Sequence, residues 1–522
     1  MNGLTSRQRK LVYLGGIATL LIPIIWLGMP AGGPAGASGD GMVGQLAQLR
    51  QEYDLGEATL GDVDPSSATM NLVLLGMRGI AANALWQNAN EQQKTKEWAK
   101  LRATVDSIIL LQPHFSQVWD FQGWNLAYNV SAVHDRVEDR WYWIKEGCKF
   151  TQKGTERNAR SARLYSSIGR VVGWKVGESD EWKTYRQYFL RDPDTQRFAN
   201  GPDPGIAHVD GEIFTDNYLA ARRWYEKGND VQREHPQQRL DASVVHFRHQ
   251  PSRAQERSAW ALQRDGIFGE RTRQAWDEAH RLWTEVYGRE SFKTARGEVV
   301  LNATEADILR LARQEQVDPE IKRQVIDIFR ADTNYDYWRV KFLLESQAET
   351  QEAHRLLYQA KRMFREEPGR LSVTLVRRTG KTCDAARDEK LSDREREVLA
   401  RLCDSDRPVH RDEFASAADL SDETLTKLEE QGLLQTVSEI QVKLEDAMAK
   451  YEQFLGQSPL VAEDVDAIED GLLAVLYWRK AHQLHNRPVP TTGYPLEELW
   501  KTKPDYLVGA QRLFLREMQI GK

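Results

Sequence analysis

Between Thr69 and Asp194 a glycine followed by a tryptophan returns three times. Gly79, Gly123 and Gly169 stand 44 and 46 residues apart, and Trp98, Trp141 (or Trp143) and Trp182 follow them at 19, 18 (or 20) and 13 residues. Each interval opens with an apolar stretch, MNLVLLGMRGIAANALW, QPHFSQVWDFQGWNLAYN or SARLYSSIGRVVGWKVG, and continues in a second segment that begins near its tryptophan. A period in this range, filled by two helices, marks a helix-pair solenoid. One such pair cannot bury its apolar face alone, so the pattern commits the chain to stacking units end to end.

A glycine inside a helix costs about 1 kcal/mol against alanine, which is best explained where another helix backbone passes close over it. In the tetratricopeptide pattern a small residue at the crossing follows a large one by four positions, as Gly123 follows Trp119 and Gly169 follows Tyr165. Leu75 holds that place before Gly79. The period exceeds the roughly 34 residues of that repeat, which calls for longer helices or loops. Pro113 and Pro193 close the first and third second-helices. Eight of the sixteen tryptophans lie between Trp86 and Trp182, enough to act as wedges between helices and for some to line a groove. Tetratricopeptide geometry turns Asp120, Trp124, Tyr128, Arg170 and Trp174 toward the concave face, which makes them the candidate partner-contact residues.

At the start of the chain Arg7, Arg9 and Lys10 precede the uncharged run Leu11 to Met29. As a helix it spans about 28 Å, close to the hydrocarbon thickness of a bilayer. No cation follows until Arg50, so the positive-inside rule puts the N-terminus in the cytoplasm and the bulk outside the inner membrane. Ala35 and Ala37 before Ser38 keep open a cleaved signal peptide, although the apolar run exceeds the roughly 7–15 residues usual for one. Residues 30–44 read as a flexible spacer.

The remaining organisation follows composition shifts. Residues 45–194 carry the repeats, 195–366 a helical region with loops, 367–435 a polar helical insertion, and 436–522 a C-terminal helix pair and tail. A loop rich in Asp, Pro and Gly breaks the repeats near Asp192 to Glu212, and an alternating stretch from Arg289 to Asn302 permits a short hairpin. A net charge of -6 with 28% charged residues leaves no basic footprint for nucleic acid. Cys148, Cys383 and Cys403 show no CxxC spacing, which argues against a structural zinc site. A bridge between Cys383 and Cys403 is open in an oxidising compartment but does not follow from spacing.

Several patterns resemble catalytic motifs until they are counted. RRTGKTC ends like a phosphate-binding loop, but Leu375 stands where the leading glycine belongs, and no strand of the required kind is visible around it. His482 and His485 are three apart on a helix, and His246 and His249 three apart in a loop, without a further ligand at helical spacing. His134, Asp135, Glu138 and Asp139 are denser, yet they also suit the acidic first turn of a helix. No cofactor follows from any of them.

ALQRDGIFGERTRQAW resembles the second half of a peptidoglycan-binding domain, although a helix–turn–helix of Arg253–Gln263 and Thr272–Tyr287 accounts for it equally. LSDREREVLARL with VHRDEFASAADLSDETLTKLEEQGLL resembles a winged-helix core. Its would-be recognition helix carries Asp422, Glu423, Glu429 and Glu430 against Lys427 alone, which would repel phosphates.

The run from Asn71 to Asp194, above all LRATVDSIILLQPHFSQVW and GWNLAYNVS, resembles an uncharacterised family of planctomycete membrane-anchored, tetratricopeptide-like proteins, sometimes labelled iron-responsive-element proteins. NYDYWRVKFLLESQ and LYWRKAHQL with PLEELW resemble its later parts, whereas residues 367–435 depart from it. The resemblance implies a membrane-tethered helical body and brings no substrate, cofactor or catalytic residue. The expectation is a mainly α, tetratricopeptide-like helix-pair solenoid behind a single transmembrane helix. It would act without catalysis as a scaffold for other envelope proteins, with cell-wall glycan binding or an enzyme with an unrecognised metal site as alternatives.

Overall fold

The computed structural model describes residues 15, 16, 19 and 78–520, apart from 239, 241, 406 and 419. The expected membrane segment, but for residues 15, 16 and 19, lies outside the described residues, as do the spacer and residues 45–77. Among the described residues no helix is long and apolar enough to cross a membrane. The chain is mainly helical. It divides into two compact units, residues 1–125 with 153–159 and residues 126–152 with 160–522.

The three glycine–tryptophan intervals are helical. Each holds two helices in sequence: α1 (Arg78–Lys94) and α2 (Trp98–Leu111), which pack on each other, in the first, α3 (Ser116–Trp124) and α4 (Val137–Arg157) in the second, α5 (Ala162–Arg170) and α6 (Trp182–Leu190) in the third. Trp98 and Trp182 are the first residues of their helices, and α2 and α6 end just before Pro113 and Pro193, as the missing N–H of proline requires. α3 runs on through the π-helical stretch Asn125–Val130, and α5 through Val171–Lys175. Both stretches begin two residues after the glycine of their unit, and a third, Leu282–Tyr287, extends a later helix.

In the first unit α1 and α2 pack together, with Leu101, Thr104, Val105 and Ile108 on the buried stripe of α2. The Trp86 ring lies 4.9 Å from Phe121 and 5.6 Å from Phe115. Trp119 donates through Nε1 to the Pro113 carbonyl at 2.9 Å. It also rests on Gly154, where an added β-carbon would come 2.7 Å from Trp119 Cβ. Among the described residues the expected close approach at Gly79 is absent: a β-carbon there would make an ordinary 3.6 Å contact with Gln112.

In the second unit each helix packs on the next. α7 (Asn217–Glu234) lies along α5, α9 (Gln250–Arg264) along α7, and α10 (Glu270–Arg281) along α9; α8 (Val244–Arg248) is a short connection. α11 (Glu305–Glu315) and α12 (Pro319–Asp332) form a pair, and α13 (Tyr335–Glu345) returns to α10. α14 (Ala348–Arg365) then leads into the insertion, whose helices are α15 (Asp393–Asp404), α16 (Arg411–Ala418) and α17 (Asp422–Glu430). Last come α18 (Glu439–Gly456), α19 (Val465–Leu484) and α20 (Pro504–Ile520). α14, α18, α19 and α20 pack in that order around Leu444, Met448, Leu472 and Trp478. Side-chain oxygens start many of these helices: Asp216 caps α7, Asp464 caps α19, and Thr304, Ser392 and Ser438 form capping boxes.

Three expectations need correction. The C-terminal region is not a helix pair with a tail, because α20 packs back on α19 with Ala510 fully buried. Beside the hairpins of β1 (His208–Val209) with β2 (Glu212–Ile213) and of β3 (Ser291–Thr294) with β4 (Gly297–Val300), the insertion too holds strands and is not purely helical. β5 (Thr374–Arg378) pairs antiparallel with β6 (Val409–His410) on one side and β7 (Leu434–Ser438) on the other, over a core of Val376, Val398, Leu402, Phe414 and Leu428. Three short helices and a three-stranded sheet resemble a winged helix, but the central strand arrives from the N-terminal side, so β5–β7 is not a wing hairpin. Finally, β5 does precede the TGKT turn, although it is antiparallel and the helix after it is the four-residue Thr382–Ala385. The alternating stretch at 289–302 is the expected hairpin, Ser291–Thr294 with Gly297–Val300.

Candidate functional site

Helix α9 carries Arg253, Arg257, Trp260 and Arg264 on one side, at spacings of three and four. Each arginine meets a tryptophan. The Arg253 guanidinium carbon is 3.4 Å from the Trp338 ring centroid. Arg264 lies 4.0 Å from Trp182 and 4.1 Å from Trp260, while Arg257 lies 5.7 Å from Trp260 and 5.5 Å from Trp174. The result is a ladder, Trp182–Arg264–Trp260–Arg257–Trp174, in which guanidinium planes alternate with indoles. Such contacts contribute about 0.5–2 kcal/mol each, more as water is excluded.

Acidic groups at the ends hold the ladder in place. Glu178 accepts from Tyr218 Oη at 2.5 Å, Arg264 donates to the same oxygen at 3.1 Å, and Arg257 lies 3.8 Å from Glu178. Burial works against the charge of Arg257, but Glu256 and Glu178 hold its affinity for the proton above the ordinary arginine value. At Arg253 burial prevails and lowers it. Trp174 ends the ladder 55% exposed. It lies in the π-helical stretch Val171–Lys175, a backbone irregularity frequent at functional sites.

The other candidate contact residues fare differently. In the first unit Asp120 is buried and Trp124 is 41% exposed. In the second unit Arg170 is exposed and donates to Ser167 Oγ at 3.1 Å. Tyr128, within the π-helical stretch Asn125–Val130, is half-buried with Lys175 Nζ 5.3 Å from its ring, and burial pushes its hydroxyl up to about 12. Of the five, the structure brings Trp174 into the ladder.

Two further polar clusters join distant parts of the second unit. Lys145 donates to Asp192 at 2.6 Å and lies 3.2 Å from Asp203, while Lys149 donates to Asp203 at 2.8 Å and Trp141 to Asp192 at 3.0 Å. The Asp–Pro–Gly-rich loop is thereby pinned to α4. In the C-terminal part Lys341 holds Asp464 at 2.8 Å and Asp466 at 3.1 Å. One turn on, Glu345 takes a contact from His354 Nε2 at 3.0 Å.

The histidines and carboxylates considered as metal ligands contact other parts of the chain. His134 stacks on Trp143 at 5.9 Å, and Glu138 and Asp139 occupy the first turn of α4. His246 lies in a short helix rather than a loop, with Nδ1 2.8 Å from Ser243 Oγ, and His249 sits 6.0 Å from both Trp283 and Tyr287. His482 is buried on Trp478 at 4.6 Å. Among the described residues no three His, Cys, Asp or Glu side chains are placed to hold a metal ion. In the DGIFGE turn Gly266 and Gly269 take positive φ, Phe268 packs on Tyr358 at 5.6 Å, and Thr272 donates to the Ile267 carbonyl at 2.8 Å. The helix–turn–helix reading accounts for that motif.

Cys383 and Cys403 form a disulfide within the insertion, and Cys148 is a buried thiol. No family model, no curated protein and no solved structure matches this chain.

Proposed function

We propose that the chain is a non-enzymatic, membrane-anchored scaffold of the cell envelope: a tetratricopeptide-like solenoid, held outside the inner membrane by Leu11–Met29, that docks another envelope protein at the Trp174 end of the ladder. The observation that carries the reading is a large aromatic side chain left 55% exposed while its neighbour Arg257 is held in place by Glu178 and Glu256. Anchors of this kind, tryptophan and arginine on a pre-ordered frame, dominate the energetics of protein contacts. Trp260 already has two guanidinium groups near its ring, at 5.7 and 4.1 Å, which makes it a poor platform for a sugar ring and favours a polypeptide over a glycan. The Cys383–Cys403 bridge suits an oxidising compartment.

A photoreactive residue tests the docking face in the full chain in its own membrane. Placed at position 174 it should give a discrete adduct with another protein. Placed at the exposed Asp327 it should give none, and Arg257→Ala should weaken the adduct at 174. Equal labelling from both positions, or adducts with wall glycan alone, would overturn the reading.

A further inference from the structure

We propose that His354 is a pH-controlled latch that ties the helix pair α13–α14 to the helix pair α18–α19. The imidazole stands at the seam of these four helices with both ring nitrogens engaged. Nε2 is 3.0 Å from Glu345 Oε2 on α13, and Nδ1 is 2.9 Å from Tyr451 Oη on α18 and 3.8 Å from Asp470 on α19. In the protonated ring Nε2–H donates to the Glu345 carboxylate and Nδ1–H to the Tyr451 oxygen.

Loss of that proton to solvent leaves Glu345, 5% exposed, without its counter-charge. The remaining partner of Oε2 is the neutral Gln263 Nε2 of α9 at 3.3 Å. Lys341, the cation of α13, is committed to Asp464 and Asp466 of α19, and Lys361 on the histidine's own helix bears on Asp470. Lys341 acts on Glu345 by its charge at longer range, but among the described residues no cation other than the imidazolium forms an ion pair with Glu345, and a buried carboxylate stripped of its partner is strongly destabilising. Burial alone would disfavour the charged ring, but Glu345 and Asp470 outweigh it and raise the histidine above its ordinary value of 6.5. A group raised in this way stabilises the fold fully below about pH 6.5, and the contribution is lost as pH rises through the folded value. Gln263 precedes Arg264 of the ladder, so loosening reaches the helix that carries it.

Hydrogen exchange of the full chain in detergent micelles, corrected for intrinsic rates, tests the latch between pH 5.5 and 8.5. Protection within residues 348–365 and 439–456 should fall at least about threefold as pH rises, and His354→Gln should abolish that dependence. The same dependence in the variant, or none in the natural chain, would overturn the proposal. Should His354→Gln fail to fold, NMR titration of the histidines in the natural chain decides. A midpoint for His354 above 6.5 that drops in Glu345→Gln supports the latch, and a midpoint at or below 6.5 sinks it.

Discussion

Tyr225 lays the edge of its ring over Gly169, so close that a β-carbon on the glycine would come 2.8 Å from Tyr225 Cε1. The contact belongs to a register. Along the same two antiparallel helices a β-carbon added at Gly173 would come 3.0 Å from Ala221 Cβ, one at Gly177 would meet the Tyr218 hydroxyl, and one at Gly228 would come 3.2 Å from the Ala162 carbonyl oxygen. Glycines every four positions on one helix receive Tyr225, Ala221 and Tyr218 from the other, and the two backbones close up.

Gly169→Leu should therefore destabilise the body by about 1–3 kcal/mol, because an aromatic ring held between helices cannot move aside. Gly79→Ala should do the reverse and gain up to about 1 kcal/mol from helix propensity, since its space is open among the described residues. Thermal unfolding of the two variants separates them by sign. A raised midpoint for Gly169→Leu would remove the close-packed crossing.

How much of this could be read in advance depends on how far apart the partners lie. The glycine–tryptophan spacing located helices because each signal is local: Trp98 and Trp182 open helices, and Pro113 and Pro193 follow their ends. Tyr225 could not be matched to Gly169 from spacing, since α6 and the loop after it lie between their two helices. Trp174 could be singled out from repeat geometry, but Arg257, which stacks on it, comes from a helix more than eighty residues later. The π-helical stretches left no trace in residue type. β5 is five residues long with two arginines at its end, too short and too charged to stand out as a strand. The His354 cluster was missed because His354 and Glu345 flank a helix break at Ser346 and Gln347, where periodicity says nothing about who meets whom.

The pinning of the 192–205 loop rests on Lys145, which is 8% exposed in its side chain against 0% for Asp192. Removing one member of a buried pair leaves the other uncompensated, at about 3–5 kcal/mol. Lys145→Met should lower stability by that order and expose residues 192–205 to protease. Adding Asp192→Asn should recover part of the loss, because the amide can still accept from Trp141 Nε1. Denaturant unfolding of the single and double variants checks both. A single variant as stable as the natural chain would show that the loop is held by something else.

His249 gives a pH dependence of opposite sign to that of His354. Burial, followed by the charge of Arg253 and then His246, pushes it down to about 4. The unfolded chain takes up this proton near pH 6.5 and the folded chain only near 4, so stability is complete above 6.5 and falls as pH drops through that window. The loss is on the order of 2 kcal/mol by pH 4, after discounting for partial exposure. His249→Phe should flatten the acid side of the stability profile. An unchanged acid limb in that variant would assign the loss to other groups.

The insertion offers a test confined to one part of the chain. Its disulfide joins residues 20 apart in sequence, and closing a loop of this length is worth about 3 kcal/mol in the chain-entropy account. The small core around Val376, Val398, Leu402 and Leu428 has little stability to spare, so replacing both Cys383 and Cys403 by serine should loosen residues 367–438 selectively. α14 and α18, which flank the insertion, pack directly on each other through Leu357, Ala360, Leu444 and Met448, and that contact does not pass through the insertion. Hydrogen exchange should therefore rise across the insertion and stay unchanged in residues 348–365 and 439–456. Equal loss of protection in both regions would mean that the insertion is part of the same cooperative unit as the helices it interrupts.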